Sequence, residues 1–374
     1  MYIYSALVIP FLAIGLALIF HHHKVKWWEA IIPFAVALVC IVVSKAIAED
    51  LATRSYEYWG GWTVSAHYFE DWNEYVHKTC TDTHCSGSGK DRTCYTTIRD
   101  CSYVDYHPEN WALLDSNGQT HSISEAAYTA LKKRLGTSPQ FVDMHRRYHT
   151  NDGDQYKVLW SGQDTNVVPI FTKHNYENRV AASRSVFNYK KVSSDEALKL
   201  GLFAYPENVD LFNFPSVLGS CGQDTARINT KLSFYNAKLG RIKQLRMWVI
   251  CLPSADPSIG REQEAYWTGG NKNEVVVIRG TGWTHVFSWT DDKTPVINIR
   301  DFSASHELSA TVDFMAEELN KSFVRKQFED FSYLTIDTPL WCIVIAWILT
   351  LLTSGATTWW VIHNDFSDES KRRH

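Results

Sequence analysis

The hydrophobic pattern divides the chain into three long apolar runs and one long segment of mixed character. Residues 28–47 form an apolar run of about 20 residues, enough to cross the ~30 Å hydrocarbon core of a bilayer as a helix. Residues 1–20 and 340–362 are apolar runs of similar length that contain no charged residue. We therefore predict three transmembrane helices, two within residues 1–47 and one at 339–362.

Positive charges beside these runs predict the direction in which the chain crosses the membrane. Lys24 and Lys26 lie in the turn between the first two runs, and residues 371–373 of the tail 363–374 are all basic. Short segments with such residues stay in the cytoplasm. No basic residue precedes the first run, so we expect a retained helix and not a cleaved signal peptide. The predicted topology has an outer N-terminus, a cytoplasmic C-terminus and an extracytoplasmic domain at 48–338.

The extracytoplasmic segment is predicted to contain a β-rich subdomain at 48–205 and an α/β subdomain at 206–338. In the first, alternating apolar and polar positions predict strands at 57–79, 93–106, 111–114, 120–123 and 156–160. Cap signals predict two short helices in it, at 124–136 and 194–201. In the second, helices and apolar strands alternate at 224–239, 245–252, 258–267, 274–278, 283–289 and 305–334. The predicted fold class is an α+β membrane protein with a disulfide-stapled β-rich part and a small α/β sandwich.

Four cysteines flank a turn rich in Gly and Ser, in a segment predicted to face an oxidising compartment. Such usage is typical of disulfides. The residue numbers of Cys85 and Cys94 add up to 179, and those of Cys80 and Cys101 to 181. These similar sums favour nested pairing across one antiparallel hairpin, with a bulge that absorbs the small offset.

A zinc site is the alternative for these cysteines, because His77, His84 and His107 are interspersed with them. Zinc sites prefer C-x2-C pairs, whereas the spacings here are C-x4-C, C-x8-C and C-x6-C. Disulfides are therefore the preferred interpretation. A third bridge is expected between Cys221 and Cys251, where it would join a loop to the end of a strand.

Composition and motifs argue against several classes of function. The 374 residues carry a net charge of −4 and no basic stripe, which disfavours a nucleic-acid partner. Residues 85–91 superficially resemble a phosphate-binding loop, but its first glycine and the Ser or Thr after Lys90 are missing. The sequence contains no G-x-S-x-G, H-E-x-x-H or C-x-x-C-H. The membrane runs contain almost no charge, which disfavours a channel or transporter.

The segment from about residue 220 to 335 resembles the TPM domain, a membrane-tethered extracytoplasmic α/β module. The resemblance is carried by the strand 247–251, a helix that ends at Trp267, and the Gly- and Asn-rich turn 269–273 before a buried strand. A C-terminal membrane anchor is also common in that family. Some members bind a divalent metal or have phosphatase activity, so the resemblance implies a metal site near Asp256, Asn271, Asn273 and Asp291.

The N-terminal half resembles uncharacterised membrane proteins of bacteria and their phages, which imply no function. Our first hypothesis is a non-enzymatic, membrane-anchored protein that binds or assembles with an envelope or membrane protein, or with copies of itself. It requires no cofactor and no nucleic acid. The expected contact residues lie at the hairpin tip and in an aromatic loop: Thr81, His84, Lys90, Arg92, Phe203 and Phe212. The alternative is a metal-assisted phosphatase or hydrolase of the TPM type, with a divalent metal as cofactor.

Overall fold

A computed structural model describes residues 2–20, 29, 31–87, 92–146, 153–183, 189–206, 210–222, 224–327, 329–336 and 338–364. The chain divides into two units. The first comprises Met1–Glu57, His174–Lys190 and Lys326–His374, and the second comprises Tyr58–Lys173 and Lys191–Arg325. The subdomain boundary predicted at residue 205 lies within the second unit. The predicted cytoplasmic turn 21–26 and most of the tail 363–374 lie outside the described residues.

The first unit contains the three apolar helices. Its elements are a 3-10 turn (Tyr2–Leu7), α1 (Val8–Phe20), α2 (Ile31–Thr53), the short α4 (Arg179–Ala182) and α10 (Leu340–Asn364). Three segments are long and apolar enough to cross a membrane: Ile3–Phe20, Ile31–Thr53 and Leu340–His363. Their shared core contains small and aliphatic residues, namely Ile3, Ala6, Ile41 and Ala346. Small side chains let helix backbones approach closely, as is common between helices in membranes.

The larger sheet has six strands in the order β7–β6–β1–β9–β8, with β10 also paired to β1. The strands are β1 (Arg54–Phe69), β6 (Asn110–Asp115), β7 (Thr120–Ile123), β8 (Gln140–Val142), β9 (Gln155–Leu159) and β10 (Pro169–Glu177). Helix α3 (Glu125–Arg134) packs on this sheet, and the Ser124 hydroxyl caps it by accepting from the N–H of Ala127. Tyr128, Leu131 and Leu135 lie on one stripe of the helix and enter the core.

The smaller sheet lies wholly in the second unit and has the order β11–β12–β13–β14. Its strands are β11 (Val217–Leu218), β12 (Arg246–Cys251), β13 (Glu274–Arg279) and β14 (Thr284–Ser288), with the first three parallel and β14 antiparallel. A disulfide joins Cys221, in the loop after β11, to Cys251 at the end of β12. Strands β12, β13 and β14 follow the predicted order, whereas β11 was not predicted.

The two faces of this sheet have different cores. Met247 and Val249 of β12 alternate with Trp248 and Ile250, so the two pairs enter different clusters. The first cluster is aliphatic and packs against α6 (Thr225–Lys243), α8 (Thr294–Ser305) and α9 (Leu308–Ser322). The second cluster is largely aromatic and includes residues of α7 (Ser258–Tyr266) and of the segment that follows α5 (Ser194–Leu200).

The single long helix predicted at 305–334 is wrong. Within this range the structure has one shorter helix, α9, which ends at Ser322. A separate helix, α8, precedes it, and the two are separated at His306 and Glu307, which both have extended backbone angles. Pro295 occupies the first turn of α8, where its missing N–H costs nothing, and this start signal was not recognised. Helix α9 ends because Phe323, with only 1% of its surface exposed, turns into the aliphatic core in an extended conformation.

Strand β1 and helix α6 cross in direct backbone contact at two glycines. A Cβ atom added to Gly60 would collide with the carbonyl oxygen of Asn236, and one added to Gly240 would lie 2.5 Å from the backbone nitrogen of Gly60. Neither position has room for a side chain. This crossing fixes α6 against the strand that is central to the larger sheet.

We predict that Gly240→Ala lowers the free energy of unfolding by about 2–3 kcal/mol, because the methyl group would force the two backbones apart. Thermal unfolding of the full chain in detergent measures the effect. Arg227→Ala, at an exposed position of the same helix, is the control and should change stability by less than ~0.5 kcal/mol. Equal losses for both variants would contradict the role of the crossing.

Candidate functional site

A two-stranded arm extends the larger sheet. β2 (Trp72–Val76) pairs with β5 (Tyr103–His107), and β3 (Thr79–Ser86) pairs with β4 (Thr93–Asp100), both antiparallel. The N–H of Cys101 donates to the carbonyl of Lys78 at 2.7 Å and joins the two ladders. In both ladders, the two residue numbers of each opposed pair add up to 179. The same sum holds for Phe69 and Asn110, which are opposed in β1 and β6. The arm, residues 70–109, therefore continues the β1–β6 ladder in one register.

Burial is low along the distal half of the arm. All of β4 is exposed, and so are six of the eight residues of β3. At about 3.3 Å per residue, the strand from residue 70 to 86 is roughly 50 Å long. A two-stranded ribbon without a packed face is marginally stable in water, so its geometry requires another restraint.

Two disulfides provide that restraint. Cys85 and Cys94 are directly opposed, with Cα atoms 4.0 Å apart. Cys80 is opposed to Arg99 but is bonded to Cys101, with a Cα separation of 5.7 Å. The predicted bulge is therefore wrong, because the register of the two strands stays constant. The Cys80–Cys101 disulfide instead joins positions that are not directly opposed, which accounts for the difference of two between the cysteine sums. With all four thiols bonded, none is left as a zinc ligand.

The constant register sorts the arm into two faces, because successive residues of a strand point to opposite sides. We call one the apolar face. Its apolar members are solvent-exposed, with exposed fractions of 75% for Ile98, 59% for Tyr106, 54% for Val104 and 36% for Tyr75. Between them lie Thr81, opposed to Ile98, and Thr83, opposed to Thr96.

The opposite side, which we call the charged face, is rich in ion pairs. Arg99 Nε lies 2.6 Å from Asp82 Oδ2, and His107 Nε2 lies 3.2 Å from Glu74 Oε2. His107 also stacks on the ring of Trp72 with centroids 4.1 Å apart. These charged groups therefore have partners within the arm, although Tyr95 and Tyr103 of this face are exposed as well, at 61% and 49%.

The contact residues expected at the hairpin tip are distributed over both faces. Thr81 lies on the apolar face, and His84 lies on the charged face, where it stacks on Tyr95 with centroids 5.4 Å apart. Arg92 is exposed immediately before β4. Lys90 lies outside the described residues. Sequence inspection missed Ile98 and Val104 as surface residues, because an apolar residue in a strand is normally assigned to a core.

The two residues expected in the aromatic loop are packed against the body of the second unit. Phe203 accepts from Trp267 Nε1 at 2.7 Å through its carbonyl and joins the aromatic cluster of the smaller sheet. Phe212 packs on the core of the larger sheet. Both are partly buried, so the arm presents the more exposed aromatic surface.

The residues expected to bind metal do not share one edge of the smaller sheet. Asp256 follows β12, whereas Asn271 and Asn273 precede β13, which is parallel to β12. The lengths of these strands put the two ends roughly 20 Å apart. Asp291 follows the antiparallel β14, at the same edge as the two asparagines. Among the residues that the structure describes, no three His, Cys, Asp or Glu are grouped to hold a metal.

Three of these residues have structural partners. The Asp256 carboxylate accepts from the N–H of Ser258 at 2.9 Å, at the start of α7. Asn273 Nδ2 donates to the carbonyls of Tyr58 and Gln244, both at 3.0 Å. Asn271 donates to a buried carboxylate, as described next. The Gly- and Asn-rich turn therefore fastens the amino end of β13 to neighbouring chain.

Glu274 is buried at this edge and is surrounded by hydrogen-bond donors. Tyr205 Oη and Trp248 Nε1 donate to Oε1, the latter at 3.0 Å, and the N–H of Asn271 donates to Oε2 at 2.8 Å. Burial raises the pKa of the Glu274 carboxyl, although these hydrogen bonds oppose the shift. Burial also raises the pKa of Tyr205 well above its ordinary value.

Arg246, opposed to Glu274 in the β12–β13 ladder, is fully buried within three aromatic rings. Its guanidinium carbon lies 4.2–4.5 Å from the ring centroids of Phe171, Phe214 and Trp248. Such contacts stabilise a cation in a site without water. Burial nevertheless lowers the pKa of Arg246 to about 9, against the attraction of Tyr205 and Glu274. The two buried groups attract one another without forming a direct ion pair.

We predict that Glu274→Gln destabilises the second unit by about 2–4 kcal/mol, because it leaves the Arg246 charge uncompensated and turns an amide donor toward the N–H of Asn271. Arg246→Met should also be destabilising. The double variant should lose less than the sum of both, since each single change leaves the other charge alone. Thermal unfolding of the four proteins measures this coupling, and strictly additive losses would contradict it.

Comparison of the chain with protein-family models, with curated proteins and with solved structures finds no match. The functional argument therefore depends on the geometry of the arm and of the second unit.

Proposed function

We propose that the protein is a membrane-anchored binding or assembly protein whose contact element is the apolar face of the arm. One observation carries this proposal: the arm exposes apolar side chains along one face while two disulfides keep its strands in register. Contiguous exposed apolar patches of more than a few hundred Å² are typical of interaction sites. The same strands would be equally well paired with polar residues at these positions.

The size of this face suits a protein partner. Tyr75, Val104 and Tyr106 are neighbours at the base, and Ile98 lies further toward the tip. Together these four residues expose roughly 400 Å² of surface, about half of the ~800 Å² that one partner contributes to a standard interface. Among the residues of this face that are paired in the two ladders, Asp100 is the only Asp, Glu, Lys or Arg, and Asp71 lies beside Tyr106 at the base.

We propose that the arm lies outside the cytoplasmic membrane, with the N-terminus outside and the C-terminus inside. The basic residues between the first two helices and after the third support this orientation. The disulfides support it as well, because bonds of this kind persist in oxidising compartments. On this proposal the protein is an integral membrane protein that crosses the bilayer three times.

Trypsin digestion tests the topology. Added to intact cells, trypsin should cut after Lys90 or Arg92, between Cys85 and Cys94, and leave a C-terminal epitope tag intact. The two fragments should separate on a gel only after reduction, because both bridges of the arm span the cut. A chain with Lys90→Gln and Arg92→Gln is the control for cleavage at this loop. Loss of the tag from intact cells would contradict the proposed orientation.

Substitutions on the two faces of β4 test the contact. Ile98→Lys should weaken the complex of the full chain at least ~10-fold, because burial of one large aliphatic side chain contributes about 1.5–3 kcal/mol. Native mass determination in mild detergent identifies whether the partner is a second copy or another protein. Thr97→Lys adds the same charge one residue away on the charged face and should leave the complex intact. A lone wild-type monomer, or equal effects of both variants, would contradict the proposal.

The alternative, a metal-assisted hydrolase, remains a prediction without a specific structural observation in its favour. Its expected ligands are divided between two edges of the smaller sheet, and three of them have structural partners. A divalent ion retained by the purified protein would favour this function.

A further inference from the structure

The second unit contains a cavity of about 380 Å³ between helices α3 and α6. Its volume is at the lower end of the ~300–1,000 Å³ range of small-molecule sites. Part of its lining is apolar, with Leu131 of α3, Val168 and Phe171 from the larger sheet and its preceding loop, and Phe212. Ala130 leaves the space open, because a larger side chain at this position would occupy it.

One hydrogen-bond donor of the lining has a fixed direction. Asn229, on α6, accepts through Oδ1 from the N–H of Ser216 at 2.8 Å and from that of Val217 at 3.2 Å. These two bonds identify the oxygen and so determine which end of the amide is the NH2 group. Among the described residues, Nδ2 has no partner. A donor is therefore held in place at the cavity by the start of β11.

The other donor is the guanidinium of Arg134, in the last turn of α3. It is the only charged residue that lines the cavity. Within the described part of the chain, Arg134 forms no hydrogen bond or ion pair. Asn213 also lines the cavity, but its Nδ2 is occupied by Asp210 at 2.8 Å. The hydroxyls of Thr230 and Ser233 also line the cavity, and they bond to the Ala226 carbonyl and to Ser216 Oγ. The remaining polar groups are a cation and an amide donor beside an apolar wall.

We propose that this cavity binds a small monocarboxylate with an aromatic or aliphatic body. The carboxylate would accept from Arg134 and Asn229, and the apolar body would contact Phe171 and Phe212. A guanidinium offers two parallel donors that match the two oxygens of a carboxylate. A phosphate dianion fits less well, because its third oxygen and second charge would face the apolar wall. This site is separate from the arm and does not depend on the proposed function.

Titration of the full chain in lipid nanodiscs tests the site, with phenylacetate as the probe and phenylacetamide as its uncharged analogue. Isothermal calorimetry should show saturable binding of phenylacetate and at least ~10-fold weaker binding of the amide. Benzoate and 3-phenylpropanoate extend the test to other body lengths. Empty nanodiscs correct for partition of each probe into lipid.

Variants assign the binding to this cavity. Arg134→Gln should weaken phenylacetate binding at least ~10-fold, whereas Lys133→Gln, with the same loss of charge one residue away outside the lining, should not. Ala130→Leu should abolish binding by filling the space, and circular dichroism confirms that each variant is folded. The proposal is overturned if none of the three acids binds, if Lys133→Gln is as harmful as Arg134→Gln, or if Ala130→Leu binds normally. Selective capture of peptides with a free C-terminus in place of these acids would also overturn it.

Discussion

The second unit depends on one antiparallel ladder, formed by β1 and β6 and continued without a change of register to the end of the arm. Strand β1 is paired with three other strands of the larger sheet, and Gly60 near its start contacts the backbone of α6. The strand that carries the arm is therefore fixed both by its neighbours in the sheet and by backbone contact with α6. A partner bound to the arm would act on a rigid root, because the backbone bonds at its base belong to a sheet with a hydrophobic core.

Two parts of this unit, the smaller sheet and the arm, stabilise polar groups in different ways. At the amino edge of β13, Glu274 and Arg246 are withdrawn from water, and surrounding donors and aromatic rings compensate for part of the cost. Along the arm, charged side chains stay in solvent and pair across the strands, where each pair contributes little. The covalent bridges matter more in the arm for this reason, and the buried network matters more in the sheet.

Much of the fold was predictable from the sequence because its signals are local. The apolar runs, the Ser124 cap and the alternation of strands in the smaller sheet each depend on neighbouring residues. The end of α9 at Phe323 was not predictable in this way, since it depends on Phe323 reaching a core built from distant segments. The nested cysteine pairs were correctly predicted, but the predicted bulge was wrong. Sums of residue numbers cannot distinguish a bulge, which shifts one strand, from a disulfide such as Cys80–Cys101 that joins residues not directly opposed.

The candidate sites were harder to predict than the fold. Arg134 and Asn229 are about 95 residues apart, and nothing in either local sequence indicates that they line one cavity. The polar residues near β13 were noticed, but the contributions of Tyr205 and Arg246 follow only from the way the strands and the aromatic loop meet. Exposed Ile98 was missed because its local pattern is that of a half-buried strand.

The constant register also limits how the arm can change length during evolution. One extra residue in a single strand would exchange the two faces beyond the insertion and move each cysteine away from its partner. Two extra residues in one strand would restore the faces but still misalign the bridges. Length can therefore vary without penalty only by equal additions to both strands, in steps of two residues each, so related arms should differ in reach by multiples of about 7 Å.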